Sequence, residues 1–353
     1  TGGGCPHILA EPQRTNLITY SEDLTNAFYQ LSGIEVVTES AIASPNGTSY
    51  GYTIVPTSAT SSHYFNYDYT NLTVAIGVDV TYSIFIKPNG YNFIQIATST
   101  GFASKFQNFE LTGDGVIGTG DIDGKTIEKI GDYYKISVTQ VSIAANPRFL
   151  LIPSPTALAT RNASFTGNGT DGVLGWGVQV EEGSYATSYI PTSGSTVTRN
   201  QDIFTRDGIG SLINSTEGVL FVEMAALAND GTYRIISLTD GGTTNRVSVI
   251  FNNTPSNTIR AMVVSGSTTF DERLTVSSII DFHKIAIKWK VNDFALWIDG
   301  VEIATDISGS VPVGMDRIVF EVGGGSLDFY GKVKQLQVYD TSLSDTQLAA
   351  LTT

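Results

Sequence analysis

The stretch GWGVQVEEGSYATSYIPTSGSTVTRN, residues 175–200, changes character about half-way along its length. In its first part Trp176, Val178 and Val180 alternate with other residues, and this period of two is typical of a strand whose apolar face closes a core. The second part is rich in Ser and Thr and is interrupted by Pro191, which favours turns and loops. We therefore predict that one β-domain ends within this stretch and that a second domain follows a linker.

Strand signals recur along the whole chain, whose 353 residues are many for a single hydrophobic core. Alternating apolar and polar runs are separated by turn residues, as in short-stranded antiparallel sandwiches. Two of the connections, Asn89-Gly90 and Asp299-Gly300, are dipeptides suited to the positive φ angles of tight turns. Both dipeptides predict β-hairpins.

A helix is predicted at the C-terminus, where Ser344 and Gln347 have the spacing of a capping box. The predicted fold class is all-β, with two antiparallel β-sandwich (jelly-roll) domains in tandem and this short C-terminal helix. The predicted limits are residues 1–190 for the first jelly roll, 191–206 for the linker and 207–353 for the second sandwich.

Composition argues against several classes of function. The net charge is −14 and the isoelectric point is about 4.5, which argues against a nucleic-acid-binding surface because phosphate contacts need clustered Lys and Arg. No apolar run approaches the roughly 20 residues that span a bilayer, so we expect no membrane insertion. The lone cysteine, Cys5, excludes an internal disulfide. Because the chain begins at Thr1 and its methionines lie far inside, we expect it to be part of a longer protein.

Several segments in the first half resemble, in order, a known domain. They are EPQRTNLITYSEDLTNA, YSIFIKPNGYNFIQI, FELTGDGVI, IEKIGDYYKISVT and GWGVQVEEGSYATSYIPTSGSTVTRNQD. The domain that they resemble is widespread in bacteriophage and prophage tail proteins and is a jelly roll like those of family 4/9 carbohydrate-binding modules. The second half, from GIGSLINSTEGVLFVEM to FYGKVKQLQVYDTSLSDTQLAAL, is similar to a concanavalin A-like, laminin-G-type sandwich.

The resemblance implies a receptor-binding protein of a phage tail fibre or spike that binds bacterial surface glycans. Its location would be the virion tail, or the extracellular space or cell surface, and its other partners would be virion tail proteins. By analogy with tail spikes it also implies a homo-oligomer, a trimer, although the sequence contains no coiled-coil heptads.

Candidate sugar contacts in the first half come from two features, because a glycan site combines aromatic rings with polar side chains. Strand alternation predicts one polar face, which is either a sugar-binding patch or a solvated surface. Its members are Lys87, Gln95, Arg148, Gln179 and Glu181. The segment 61–72 is dense in aromatic residues, which either frame a sugar subsite or pack alternately into the core. The candidates there are Tyr64, Tyr67 and Tyr69.

Trp297 is the candidate in the second half. It alternates with Leu296 and Ile298, so it points to the opposite side of its strand from these apolar neighbours. An outward Trp either stacks on a sugar or another subunit, or packs against a further layer of the protein.

Calcium is the one cofactor that the sequence suggests. Asp114, Asp121 and Asp123 offer the hard oxygen ligands that calcium prefers, although solvated Asp-Gly turns are the favoured explanation of them. Catalytic signatures are poor: there is no G-x-S-x-G or H-E-x-x-H motif. Glu181 and Glu182 are adjacent on a strand and face opposite sides, so they cannot form the carboxylate pair of a glycosidase.

The function predicted from these observations is a non-enzymatic glycan-binding module of a phage tail fibre, spike or similar adhesin. Two alternatives remain. One is a structural or decoration protein that makes protein–protein contacts in a virion. The other is an accessory domain of a polysaccharide-degrading enzyme.

Overall fold

The computed structural model describes residues 7–47, 50–158, 160–252 and 256–353, with the side chains of residues 39–42 and 252 left aside. These residues form antiparallel sheets and one short α-helix, which confirms the predicted fold class. The strands in chain order are β1 (Ile8–Ala10), β2 (Arg14–Asn16), β3 (Tyr29–Ser32), β4 (Ile34–Ala43), β5 (Tyr50–Pro56), β6 (Thr60–Ser61), β7 (Tyr64–Tyr67), β8 (Asp79–Asn89), β9 (Phe93–Thr98), β10 (Phe106–Glu110), β11 (Val116–Gly120), β12 (Gly124–Ile130), β13 (Tyr133–Val141), β14 (Phe149–Ser154), β15 (Phe165–Thr166), β16 (Gly172–Glu182), β17 (Val197–Arg199), β18 (Thr205–Arg206), β19 (Glu217–Ala226), β20 (Arg234–Thr239), β21 (Asn245–Asn252), β22 (Thr258–Ser265), β23 (Ser267–Thr275), β24 (His283–Lys290), β25 (Phe294–Ile298), β26 (Val301–Asp306), β27 (Arg317–Val319) and β28 (Gly331–Tyr339). The helices are two 3₁₀ turns, Tyr69–Asn71 and Gly210–Leu212, and α1 (Asp345–Thr352).

The described chain divides into two compact units, residues 13–200 and residues 7–12 with 201–353. These limits differ from the predicted ones because two short strands pair away from their sequence neighbours. β1 pairs with β28 of the second unit. β17, which lies inside the predicted linker, pairs with β2 of the first unit. The chain therefore passes from one unit to the other at residues 12–13 and again at residues 200–201.

The first unit contains two six-stranded sheets. Sheet 1 has the order β11-β10-β9-β14-β7-β3, and sheet 2 has the order β12-β13-β8-β16-β5-β4. Alternate side chains of both sheets meet in one core, which contains Ile84 and Ile86 from sheet 2 and Ile94 and Ile96 from sheet 1. Each is at most 1% exposed, and full burial of such a side chain is worth about 1.5–3 kcal/mol. Period-two alternation thus decides which side chains reach the outer faces.

The Asn89-Gly90 dipeptide does not form the predicted hairpin. Asn89 is the last residue of β8 in sheet 2, whereas the next strand, β9, belongs to sheet 1, so the connection crosses between sheets. Gly90 has a φ of +89°, and a Cβ atom there would lie 2.5 Å from the Cβ of Asp171. The glycine is required, but for a crossover and a close approach.

The second unit contains sheet 3, with the order β1-β28-β19-β24-β25-β26, and sheet 4, with the order β18-β27-β20-β21-β22-β23. Asp299-Gly300 joins β25 to β26 with Ile298 opposite Val301, which confirms the predicted hairpin. Both turn residues have positive φ, 50° and 83°, as a type I′ turn requires.

Helix α1 begins after Ser344, as the capping box predicts. The Ser344 backbone N–H donates to the Gln347 side-chain oxygen at 2.9 Å. Leu348 of the helix is fully buried against the outer face of sheet 3, beside Phe221 and Trp297. Within the described residues, no helix has the length and apolar character needed to cross a membrane.

The segment that follows β16 folds back over the outer face of sheet 2. A bulge in β16 places an aromatic side chain on that face. Gly177 has a φ of +68°, and the register between β16 and β8 shifts between Trp176 and Gln179. Trp176 therefore lies on the outer face, whereas Val178 and Val180 are in the core. This corrects the expectation that all three point the same way. The Tyr189 ring covers Trp176, with 4.5 Å between ring centroids.

Asn16 fixes the returning segment through its buried side-chain amide. Its Nδ2 donates to the carbonyl oxygens of Ile190 at 2.8 Å and Val178 at 3.3 Å. Its Oδ1 accepts from the backbone N–H groups of Ile18 at 3.1 Å and Val180 at 3.2 Å. One side chain thus joins three separate parts of the chain.

Ser21 makes a second set of bonds to the same segment. Its backbone N–H donates to the Thr192 hydroxyl at 2.9 Å, and its hydroxyl accepts from the Thr192 backbone N–H at 2.8 Å. The Ser21 and Tyr189 hydroxyls are 2.7 Å apart. The segments EPQRTNLITYSED and SYATSYIPT are therefore structural partners.

We expect Asn16→Ala to lower the free energy of unfolding by about 3 kcal/mol, because it leaves buried backbone groups without partners. Chemical denaturation followed by circular dichroism measures the loss. Asn200→Ala is the matched control, since Asn200 is exposed. Equal stability of the two variants would contradict the assigned role of Asn16.

Candidate functional site

Gln179 and Glu181 are fully buried where the segment after β16 crosses the outer face of sheet 2, and they are not part of an exposed patch. The Gln179 side chain donates to Glu181 at 2.9 Å and accepts from the backbone N–H of Ile190 at 2.8 Å. The Glu181 carboxylate accepts from the backbone N–H of Thr187 at 2.8 Å and from its hydroxyl at 2.7 Å. This corrects the predicted polar face: both side chains bind the segment that returns over sheet 2.

Gln95 and Tyr67 are also interior residues. Gln95 donates to the Asn108 side chain at 2.8 Å and accepts from the Asn162 backbone N–H at 2.6 Å. Tyr67 is 1% exposed, its hydroxyl donates to the Pro147 carbonyl oxygen at 2.7 Å, and burial raises its pKa far above the ordinary value. Gln95 and Tyr67, both predicted to contact a sugar, are therefore held in the interior by internal hydrogen bonds.

Lys87 is partly exposed on sheet 2, apart from the other candidates. Its Nζ lies 2.9 Å from the Asp132 carboxylate and over the ring of Tyr133. The hydrogen bond from Lys87 lowers the pKa of Asp132. Because β8 belongs to sheet 2 and β14 to sheet 1, Lys87 does not share a face with Arg148.

Trp297 points outward from sheet 3, as alternation predicts, but it is covered. It packs with Leu348 of α1 and is 8% exposed. Its indole N–H has no hydrogen-bond partner among the described residues. Of the two interpretations left open by the sequence, packing against a further layer is the one that the structure supports.

The three predicted calcium ligands are not brought together. Asp121 accepts from the backbone N–H of Phe106 at 2.8 Å, and Asp123 pairs with Lys105 at 3.3 Å. Asp114 is exposed. In the described ranges, no group of three His, Cys, Asp or Glu side chains is arranged to hold a metal ion.

Three of the predicted residues do come together around Arg148. Tyr64 lies on the outer face of sheet 1, whereas Tyr69 lies in the turn after β7 and also packs against the core of the first unit. The Arg148 guanidinium lies over the ring of Tyr64, with 5.2 Å from Cζ to the ring centroid, and over the ring of Tyr69, at 5.0 Å. All three side chains are partly exposed. We call these three residues the tyrosine–arginine cluster.

Strand alternation places two members of the cluster. In β7, Phe65 and Tyr67 enter the core, so Tyr64 points outward. Arg148 immediately precedes β14, where Phe149 enters the core. The Arg148 backbone accepts from the N–H of Ser99 at 2.9 Å, which ties it to the end of β9.

Tyr69 is positioned by the 3₁₀ turn that follows β7. Asp68 caps this turn by accepting from the backbone N–H of Thr70 at 3.2 Å and from its hydroxyl at 2.5 Å. The Thr70 hydroxyl hydrogen bond is the main cause that lowers the pKa of Asp68. The hydrogen bonds of Asp68 thus hold the turn that positions Tyr69.

Asn66 supports the tyrosine–arginine cluster from a buried position, at 2% exposed, and was missed by the sequence analysis. Its Oδ1 accepts from Nε of Arg148 at 3.2 Å, and its Nδ2 donates to the carbonyl oxygen of the exposed Gln30 at 3.0 Å. Period-two alternation with Tyr64 was the signal that could have identified it. Among the described residues, Asn66 is the one acceptor for the Arg148 side chain, so its terminal Nη atoms remain able to donate to a ligand.

The surroundings of His283 do not form a catalytic centre. Nδ1 of His283 is 2.6 Å from the Asp299 carboxylate, and Nε2 is 2.9 Å from the carbonyl oxygen of Ser278. Both ring nitrogens are therefore engaged with groups of the protein.

No protein-family model and no curated protein matches the chain. Among solved structures, the chain is similar to the CBM40 module of a Ruminococcus gnavus IT-sialidase bound to α2,3-sialyllactose, at 16% identity, 42% of this chain, 98% of that chain and a TM-score of 0.35. It is similar to a pentraxin from Limulus polyphemus at 14% identity, with coverages of 39% and 70% and a TM-score of 0.31. It is also similar to the CBM22-1–CBM22-2 tandem domain of Paenibacillus barcinonensis Xyn10C, at 8% identity, coverages of 97% and 100% and a TM-score of 0.28. At these identities and TM-scores, none of the likenesses identifies a ligand or a site residue.

We expect Arg148→Met to lower the free energy of unfolding by no more than about 2 kcal/mol, because cation–π contacts near the surface contribute about 0.5–1 kcal/mol each. Urea denaturation measures this change, with Arg161→Met as the control that removes two hydrogen bonds to Thr98. A loss for Arg148→Met as large as that for Asn16→Ala would contradict a surface role and show that the cluster is needed for folding.

Proposed function

We propose that the first unit binds bacterial surface polysaccharide through the tyrosine–arginine cluster, without catalysis. The observation that carries this proposal is the position of the Arg148 guanidinium over the rings of Tyr64 and Tyr69. A sugar ring has apolar C–H faces and many hydroxyl groups. The cluster combines the two matching features, aromatic surface and planar hydrogen-bond donors.

Preorganisation supports the proposal. Asn66 and the two rings already restrain the Arg148 side chain, and the capped 3₁₀ turn restrains Tyr69. Ordering a free side chain on binding costs about 0.5–1.5 kcal/mol. A ligand that meets this restrained surface therefore loses less of its binding free energy.

At the level of the organism, we propose a receptor-binding protein of a phage tail fibre or spike, located in the virion tail. The order of the segments EPQRTNLITYSEDLTNA to GWGVQVEEGSYATSYIPTSGSTVTRNQD supports this proposal. Several copies, as in a trimer attached to other tail proteins, would convert weak single-site binding into firm attachment by avidity. Calcium enters this proposal only as a condition to be tested.

We expect Tyr64→Ala and Arg148→Met each to weaken glycan binding at least about tenfold, because stacking and charge-assisted hydrogen bonds are lost. A glycan array identifies the ligand, and titration with host surface polysaccharide, with and without calcium, measures the affinities. Tyr50→Ala is the matched control in the same unit, since Tyr50 is 53% exposed and lies in β5 of sheet 2. Trp297→Phe tests the covered residue and should bind like the unchanged protein.

Two results would contradict the proposal. If a multimeric form binds no glycan and no host cell, the alternative of a structural virion protein becomes the better explanation. If glycan binds but neither Tyr64→Ala nor Arg148→Met weakens it, the site lies elsewhere in the chain.

A further inference from the structure

Sheet 4 of the second unit carries a concentration of arginine side chains on its outer face. β21, β22 and β23 place Val247, Val249, Ile259, Ala261 and other apolar residues in the core. The residues that alternate with them point outward and include three arginines with a single aspartate among them. These are Arg246, Arg260, Arg273 and Asp271.

Arg260 is an arginine on this face whose side chain has a carboxylate as its hydrogen-bond partner. Its Nε and Nη2 donate to the two carboxylate oxygens of Asp271, both at 2.6 Å. Arg273 reaches the same carboxylate at 3.5 Å. These hydrogen bonds, first of all those from Arg260, lower the pKa of Asp271. The single carboxylate of the group is therefore already committed to two arginines.

Arg246 presents the same Nε–Nη2 edge without a carboxylate. Its Nη2 points at the thioether sulfur of Met262 at 3.2 Å, and its Nη1 donates to the carbonyl oxygen of Thr243. Its Nε is buried and has no hydrogen-bond partner in the described part of the chain. A thioether is a weak acceptor, so the edge that binds a carboxylate in Arg260 is nearly unsatisfied in Arg246.

The environment of Arg246 also leaves its charge uncompensated. Burial is the main cause that lowers its pKa, and the positive charge of Arg260 acts in the same direction. A partly buried cation without an anionic partner is costly. A bound oxyanion would compensate both the burial of Arg246 and its repulsion from Arg260. The net charge of −14 disfavours a polyanion such as nucleic acid. The complementary ligand is therefore one isolated oxyanion.

We propose that the Nε–Nη2 edge of Arg246 binds a single oxyanion of an acidic saccharide, a carboxylate or a sulfate ester, when the Met262 side chain moves aside. Met262 is only partly buried, and an unbranched thioether side chain has several accessible rotamers. A planar carboxylate would accept two parallel hydrogen bonds from this edge, as Asp271 does from Arg260.

Hydroxyl groups for the rest of a sugar lie on the neighbouring strands. Ser248 is directly opposite Met262 in the pairing of β21 with β22. The Ser248 and Ser237 hydroxyls form a fully buried pair, 2.8 Å apart. Movement of Met262 would bring this pair within the site. The proposal concerns the second unit alone and does not depend on the tyrosine–arginine cluster.

The test uses three defined probes: glucuronate, glucose 6-sulfate and neutral glucose. NMR titration of the whole chain follows the backbone amides of β21 and β22, which report binding in every variant, and in proteins that keep Arg246 it also follows the Nε–H resonance of that residue. We expect an acidic probe to shift this resonance and glucose to leave it unchanged. Arg246→Lys keeps the charge but loses the two-donor edge, and should weaken binding at least tenfold. Met262→Ala removes the cover and should strengthen binding several-fold.

Arg206→Lys is the matched control, because Arg206 is exposed on sheet 4, and it should bind like the unchanged protein. A response to glucuronate alone assigns the ligand as a carboxylate, and a response to glucose 6-sulfate alone assigns it as a sulfate ester. The proposal is overturned if neither acidic probe binds the unchanged protein or Met262→Ala at tens of millimolar. It is equally overturned if Arg246→Lys binds as well as the unchanged protein, or if glucose binds as well as the acids. Should Arg246→Lys fail to fold, the response of Met262→Ala still decides.

Discussion

The buried hydrogen bonds of Asn16, Gln179 and Glu181 are the constraint on which the first unit depends. They fasten residues 184–192 across the outer face of sheet 2 and so enclose Phe85 and Trp176 beneath Tyr189. Without these bonds, a polar segment would have to cover an apolar sheet face with few contacts of its own. A carboxylate such as Glu181 tolerates complete burial because Thr187 and Gln179 satisfy it.

In each unit, taken by itself, a segment that comes after a strand covers the outer face of one sheet. In the first unit it is the segment after β16, on sheet 2; in the second it is α1, on sheet 3. The other sheet of each unit also buries apolar side chains on its outer face, Leu150 and Ile152 in sheet 1 and Ile235 and Ile250 in sheet 4. Sheet 1 carries the tyrosine–arginine cluster, and sheet 4 carries the arginines around Met262. Coverage by other parts of the chain explains why Gln179 and Trp297 are unsuited to contact a glycan, whereas the candidate sites use side chains that stay partly exposed.

Local patterns predicted much of the fold, because strand alternation, the Asp299-Gly300 hairpin and the Ser344 capping box are properties of near neighbours in the chain. Contacts between distant residues were inaccessible. β1 joined the second unit through pairing with the distant β28, which its own short sequence does not indicate. The bulge that reversed Trp176 did have a local signal, the glycine at position 177 inside a strand pattern, but the sequence analysis did not use it. The same limit applies to the site: alternation identified outward residues, but not which outer faces the chain itself covers. The sequence therefore does not separate Tyr64 and Arg148 from buried candidates such as Gln179.

The central claim is that the glycan binds at the outer face of sheet 1, and not at residues 179–190 on sheet 2. An NMR chemical-shift map of the whole chain, titrated with an oligosaccharide released from the host surface polysaccharide, tests it most directly. The account predicts that the largest shifts occur at Tyr64, Asn66, Tyr69 and Arg148, with little change at residues 179–190. Shifts concentrated at residues 179–190, with none near Arg148, would contradict it.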